Sequence, residues 1–174
     1  MRQLVAGARR LPAADDEAVA LYAAHRLRLV RLAVLLVDDL HTAEDVVQDA
    51  FAGFLARRSR LDDPERALAY LRTSVVNGSR DKLRRRRTAR AYVPPHEVPL
   101  DTTTESALLA EEHRELIAAL QTLGDRQREV LVLRYWSGCT EAEISETLGI
   151  SRGAVKSTAS RALDALAKTM EVSR

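Results

Sequence analysis

Two sets of side chains in this chain have the types and spacing to handle phosphate or the edges of nucleic-acid bases. The first is SRDKLRRRRTAR, Ser79 to Arg90, in which seven of twelve residues are basic and one, Asp81, is acidic. Four consecutive arginines repel one another, so water, acidic protein or a phosphate backbone must stand opposite them. The second is TEAEISETLGISRGAVKSTASRALDAL, which reads as a short helix, a tight turn at Gly149-Ile150 and a second helix. Ile144, Leu148, Ile150 and Val155 can lock the two helices together, in the shape of a helix-turn-helix. Ser151, Arg152, Gly153, Lys156, Ser157, Ser160 and Arg161 then project from the second helix. Small residues let its backbone approach a groove, Arg and Lys reach phosphates or guanine edges, and serines add phosphate hydrogen bonds. The plain alternative is a helical hairpin in a small bundle; the agreement of glycine, cap and exposed basic residues favours the DNA-binding reading.

Other chemistries find little support. His25, His41, His96 and His113 are far apart and fit no metal-ligand spacing. Neither a Ser-His-Asp or Cys-His arrangement nor a phosphate-cradling glycine loop is suggested, so the chain reads as a non-enzyme that needs no cofactor. The single cysteine, Cys139, excludes an internal disulfide and reads as a packed apolar residue. The longest purely apolar run, Leu32–Val37, is too short to span a membrane, and MRQLVAGARRLP lacks the apolar core of a signal peptide. The expectation is a cytoplasmic protein with no membrane partner.

The elements that must position these residues are helical. Ala, Leu, Val and Arg are abundant, while glycines and prolines fall between periodic segments, so the fold class is all-α. A first helix is expected from about Asp15 to Val37, with Asp15, Asp16 and Glu17 suiting its dipole and Tyr22, Leu29, Ala33 and Leu36 on one face. In HTAEDVVQDAFAGFLARR, Thr42 and Asp45 have the form of a capping box. Val47, Ala50, Phe51 and Phe54 make the buried stripe there, leaving Glu44, Asp45, Gln48 and Asp49 free for solvent or a partner. Asp63-Pro64 starts a third helix, with Leu68, Leu71, Val75 and Val76 apolar and the arginine run on its last turns. Gly78 inside it implies a slight kink or the close approach of a ligand.

Ala91 to Thr104 (AYVPPHEVPLDTTT) forbids a helix and forms a flexible linker between two small domains, 13–90 and 105–172. In the second, a helix is expected from about Glu105 to Leu123 with Leu109, Leu116 and Leu120 inside. A short one follows over Asp125–Tyr135, with Val130, Leu131 and Arg134 on one face. Gly138 suits a left-handed helix end, Thr140 with Glu143 is a capping box, and Gly149 closes that helix. Ser151 caps a last helix with Val155, Ala159, Ala162 and Leu166 inside. Net charge is only +2, yet residues 1–90 carry 18 Lys+Arg against 12 Asp+Glu, and residues 91–174 carry 9 against 13. A localised basic surface on a nearly neutral chain points to a local electrostatic contact.

DRQREVLVLRYWSGCTEAEISETLGISRGAVKS resembles the fourth conserved region of bacterial sigma factors, in the short extracytoplasmic-function (ECF) group. TAEDVVQDAF resembles the stretch of their second region that docks on core RNA polymerase, and AYLRTSVVNGSRDKLRRRR the helix that engages the −10 promoter element. The resemblance covers roughly Tyr22 to Leu166. It implies that Glu44, Asp45, Gln48 and Asp49 face the polymerase clamp helices, on the beta and beta-prime side of the core. The loop of Ser59, Arg60, Leu61 and Asp62 would receive a flipped base. Arg72, Asn77, Arg80, Lys82, Arg84 and Arg85 would hold the melted −10 strand, and the helix from Ser151 would enter the −35 major groove. Promoter DNA and core polymerase are thus the implied partners, with an anti-sigma factor as the family's frequent third, clamping the domains together. Gly124 stands where a proline is usual, Cys139 where leucine is common, and Thr158 and Ser160 replace the frequent Arg and His, which weakens or alters −35 binding. Two rivals are weighed against the promoter-specificity subunit. One is a stand-alone helix-turn-helix regulator, which needs a sensor domain that the first 90 residues do not encode. The other is a helical adaptor, which gains nothing from Arg80–Arg87. The sigma reading would fail if the arginine-rich segment were folded against the chain's own acidic residues and the Ser151 helix start were buried in the interior.

Overall fold

The computed structural model describes residues 13–57, 63–90 and 116–172. The expected base-receiving loop of Ser59, Arg60, Leu61 and Asp62, the linker, and the start of the expected helix at Glu105 lie outside the described residues. Every regular element among those described is helical: α1 (Ala13–Val37), α2 (Leu40–Leu55), α3 (Pro64–Arg90), α4 (116–121), α5 (Asp125–Leu131), a π-helical turn (Val132–Trp136), α6 (Glu141–Leu148) and α7 (Arg152–Val172).

The N-terminal unit is a bundle of α1, α2 and α3. Val46, Val47, Ala50, Phe51 and Phe54 of α2 meet Leu71, Val75 and Val76 of α3 and Leu29, Leu32 and Leu36 of α1, all buried. Tyr22 packs edge-to-face on Phe51, ring centroids 4.8 Å apart. The α1–α2 corner is made by two aspartates. Asp38 takes the left-handed conformation (φ 68°), which aspartate tolerates better than most residues. Asp39 is the N-cap of α2, its Oδ1 accepting from the Thr42 N–H at 2.8 Å. The expected Thr42 capping box is therefore corrected: a better acceptor three residues upstream caps first, and Thr42 sits inside the first turn. At the start of α3 the expectation holds, with the Glu65 N–H donating to Asp63 Oδ1 at 3.1 Å beside Pro64.

Gly78 serves packing rather than a kink or a ligand. A Cβ there would lie 3.1 Å from Val46 Cγ1, so its absence lets α3 close onto α2.

In the C-terminal unit, Leu120, Leu123, Val130, Leu133, Ile144, Leu148, Val155, Ala159 and Ala162 form the core, with Cys139 buried beside them. The expected straight helix to Tyr135 changes pitch. After Leu131 it widens into the π turn, closed by the Ser137 N–H bonding to the Val132 carbonyl at 3.1 Å. That rotation buries Val132 and Leu133 and turns Arg134 outward, where it pairs with Glu141 at 3.2 Å. Gly138 and Gly149 are both left-handed, at φ 66° and 65°. The Thr140–Glu143 capping box forms as expected, Glu143 Oε2 accepting from the Thr140 N–H at 2.7 Å.

The two units pack directly on each other. α1 is apolar nearly all round from Leu29 to Val37 because α2 and α3 cover one side while α5 and the π turn approach another. Arg128 of α5 is buried in this seam and donates to the Leu36 carbonyl of α1 at 3.2 Å.

Candidate nucleic-acid interface

At about 100° per residue, the basic side chains of α3 fan out to three destinations. Arg72, Arg80 and Arg87, seven or eight residues apart, share one face and meet the C-terminal unit. Arg80 makes a two-pronged ion pair with Glu129 of α5, Nη2 to Oε2 at 2.7 Å, while its Nη1 reaches Asn77 Oδ1 at 3.1 Å. The Glu129 side chain is only 5% exposed, so Arg80, with Arg126 at 3.4 Å, supplies its counter-charge in a poorly hydrated place. The hydrogen bonds that Arg80 donates to Glu129 hold its guanidinium above its ordinary pKa, against burial, which opposes the charge. Arg87 reaches Asp125 at 2.8 Å and Arg72 reaches Glu143 at 3.4 Å.

A second face points back into the N-terminal unit. Lys82 pairs with Asp45 of α2 at 3.3 Å. Arg86 donates to the Val37 carbonyl at 3.1 Å, to Asp38 at 3.2 Å, to Asp39 and to Thr42 Oγ1 at 2.6 Å, tying the end of α3 to the α1–α2 corner. Burial alone would raise the Asp39 carboxyl; the Thr42 N–H and the Arg86 guanidinium outweigh it and hold the group below the usual aspartate value. The third face is solvent. Arg85 is exposed, and Arg84, also exposed, has only an i,i+3 contact with Asp81 at 3.1 Å. Acidic protein and water thus divide the arginine run between them.

The helix-turn-helix presents the opposite picture. The turn between α6 and α7 is held by Ser145 Oγ donating to the Ile150 carbonyl at 2.5 Å and by the Ile150 N–H on the Ser145 carbonyl at 3.1 Å. Ser151 caps α7 through the Ala154 N–H at 3.1 Å. Ser151, Arg152, Gly153, Lys156, Ser157, Ser160 and Arg161 are all exposed on one side, and Val155, Ala159 and Ala162 are buried on the other. Among the described residues no carboxylate ion pair engages Arg152, Lys156 or Arg161; Arg161 lies back along the helix, its Nε on the Ser157 carbonyl at 3.2 Å. A Cβ on Gly153 would meet nothing nearer than Ser151 Oγ at 3.9 Å, so internal packing does not demand a glycine there.

The acidic set on α2 is split. Gln48 and Asp49 are exposed; Glu44 is half-buried and bonded to Arg26 at 2.8 Å, and Asp45 is shared between Lys82 and His41. The residues that sequence reasoning missed are Asp125, Arg128 and Glu129. Asp125 and Glu129 are i,i+4 neighbours and so face one way, toward Arg87 and Arg80. Among the described residues no group of His, Cys, Asp and Glu could hold a metal ion, and no helix is long and apolar enough to cross a membrane.

Comparison with known proteins bears on both halves. The family profile Sigma-70 region 2 matches residues 21–89, and Sigma-70, region 4 matches residues 113–166. The RNA polymerase sigma-E factor of Streptomyces coelicolor is 36% identical over 140 residues, covering 78% of this chain and 75% of that protein. Among solved structures, the extracytoplasmic function sigma factor SigJ of Mycobacterium tuberculosis aligns with a TM-score of 0.64 and 30% identity over 86% of this chain and 53% of that one. The sigma factor RpoE of Bartonella quintana, solved with the anti-sigma factor NepR, aligns with a TM-score of 0.70 at 24% identity, covering 92% of this chain and 98% of that one.

Proposed function

The chain belongs to the sigma-70 family of RNA polymerase sigma factors, in its extracytoplasmic-function group, and on that premise we propose how its surfaces divide the work of promoter recognition. The N-terminal unit is region 2 and the C-terminal unit is region 4. Region 4 reads the −35 duplex with the start of α7, where Ser151, Arg152, Gly153, Lys156, Ser157, Ser160 and Arg161 contact phosphates and base edges. Region 2 docks on core polymerase through Glu44, Asp45, Gln48 and Asp49, with Gln48 and Asp49 already exposed. The melted −10 strand runs along α3, held by Arg72, Asn77, Arg80, Lys82, Arg84 and Arg85, with the loop of Ser59 to Asp62 receiving a base. The chain does no catalysis of its own and acts in the cytoplasm, where the polymerase is.

The observation that carries this reading is the exposed, capped and carboxylate-free start of α7 on a rigid helix-turn-helix, in one chain with a separate arginine-rich helix. The −10 surface is only partly available in the arrangement described: Arg84 and Arg85 face solvent, but Arg72 and Arg80 cannot serve Glu143 and Glu129 and a phosphate at the same time. Engagement of the strand therefore requires the two regions to part, which binding to core polymerase accomplishes by holding them along the promoter. An anti-sigma factor favouring the packed arrangement would act in the opposite sense. The stand-alone regulator loses its support, since the first half matches region 2. The test is in vitro transcription on genomic fragments with core polymerase, with and without the chain. New start sites are expected only with it, and their absence on every template would overturn the reading.

A further inference from the structure

A cavity of about 200 Å³ lies where α1 and α3 of region 2 meet the π turn of region 4. Leucines of α1 and α3 form part of its wall. Its polar lining consists of His25, Arg28, Arg31, Arg72 and Ser137, with Trp136 beside them, and contains no carboxylate. Three arginines line one small space, and their like charges call for a counter-charge. Arg72 has Glu143, which is not part of the lining, while among the described residues no carboxylate ion pair reaches Arg28 or Arg31. Within the cavity region the Nε of Arg31 is buried with no hydrogen-bond partner, a donor left open in a place where donors are ordinarily satisfied. His25 shows the same crowding: burial, then Arg28 and Arg72, push its pKa below the ordinary histidine value.

We propose that this cavity binds a small phosphate-type polyanion of the size of pyrophosphate, which bridges region 2 to region 4. The planar donor fork of arginine matches tetrahedral oxyanions, and three such forks suit a multiply charged ion better than a single carboxylate. The volume is below that of pockets for drug-sized ligands, so a phosphate or pyrophosphate fits where a nucleotide does not. Because Trp136 and Ser137 come from region 4 and the arginines from region 2, an occupant binds the packed arrangement alone and shifts the population toward it.

Trp136 is the one tryptophan of the chain, which makes the test direct. Sodium pyrophosphate is titrated into the full chain, without polymerase, at ionic strength held constant with chloride, and Trp136 fluorescence is followed. A saturable change is expected, together with a rise in melting temperature. Arg31→Gln and Arg28→Gln are each expected to weaken the apparent affinity about tenfold, as loss of a charge-assisted hydrogen bond does. Arg28 is exposed, so its variant carries the test if Arg31→Gln does not fold. A response that chloride reproduces, or one that both folded variants retain in full, overturns the proposal. So does a response to a short single-stranded oligonucleotide but not to pyrophosphate, which would make the cavity a part of the −10 strand surface. The readout needs neither polymerase nor promoter, so its failure leaves the sigma reading standing.

Discussion

α3 and α7 are the two helices proposed to meet DNA with arginine and lysine, yet in the packed chain they are in opposite states. The start of α7 projects into solvent, and among the described residues no carboxylate is ion-paired with Arg152, Lys156 or Arg161. On α3, Arg72, Arg80 and Arg87 are matched by Glu143, Glu129 and Asp125, and Lys82 and Arg86 by acids of their own unit. Arg84 and Arg85 remain turned to water. Residue type is the same in both helices; the difference is what the fold sets opposite. A surface that reads duplex DNA can stay open, because nonspecific duplex contacts are weak and salt-screened. The surface proposed for a melted strand is instead partly covered by carboxylates, which would compete with phosphates for the same guanidinium groups.

The largest expected effect comes from the part of α3 that remains open. Reversing Arg84 and Arg85 to glutamate is expected to lower holoenzyme affinity for a −10 single strand by more than about a hundredfold, at roughly 1.5–3 kcal/mol for each charge-assisted contact. The deficit should be largest at low salt and shrink as salt rises, because the lost phosphate contacts no longer contribute to the salt dependence, whereas a helical adaptor would tolerate both changes. Filter binding at several salt concentrations decides between them. Next is Arg86, which the comparison assigns to structure rather than DNA. Arg86→Ala leaves Asp39, Thr42 and the Val37 carbonyl short of a donor and is expected to cost about 2–3 kcal/mol of stability, read by calorimetry. A variant that melts normally but loses promoter binding would return Arg86 to the DNA surface.

Glu129→Gln tests the covering itself. Removing the charge opposite Arg80 is expected to raise single-strand binding by the free chain about tenfold, equivalent to about 1.4 kcal/mol, with binding of −35 duplex unchanged. Equal gains on both nucleic acids would mean that the two helices do not differ in the way described. A smaller effect is expected from Lys156→Ala on α7: a decrease of about one in the slope of log affinity against log salt for the −35 duplex, with the −10 strand unaffected.

How much of this could be read before folding depends on distance along the chain. Caps and turns were legible because their partners are two or three residues away: Asp63 before Pro64, Thr140 with Glu143 and Ser151 over Ala154, as were the left-handed Gly138 and Gly149. Helix faces were legible for the same reason, and so was the exposed side of α7. Thr42 misled because Asp39, a stronger cap, stands just upstream. The π turn escaped because a periodicity of 3.6 has no term for one wider loop, and Arg134 was misplaced with it. Gly78 needed Val46, and Arg80 needed Glu129, 49 residues on; neither contact leaves a local trace. The full burial of α1 was hidden similarly, since LAVLLV is as consistent with one packed face as with two.

The smallest expected effect is of acid, and it should fall on one helix only. The Asp39 carboxyl sits below the ordinary aspartate value: burial works against it, and the Thr42 N–H and Arg86 overcome that. Glu143 also sits low, held by the backbone and hydroxyl of Thr140, against burial, with Arg72 adding to the effect. A carboxyl lowered by folding contributes stability that is fully present above its unfolded value and is lost as pH falls through the lower folded one. Acidification across that window should therefore loosen the Arg86 clamp and the Arg72–Glu143 contact together, and melting temperature should fall there. Asp39→Asn should flatten that dependence. Arg152, Lys156 and Arg161 have no carboxylate partner to lose, so hydrogen exchange at the start of α7 should stay constant while the end of α3 loses protection. Equal loss of protection at both sites would show that acid unfolds the chain as a whole and that the pairing of α3 is no separate device.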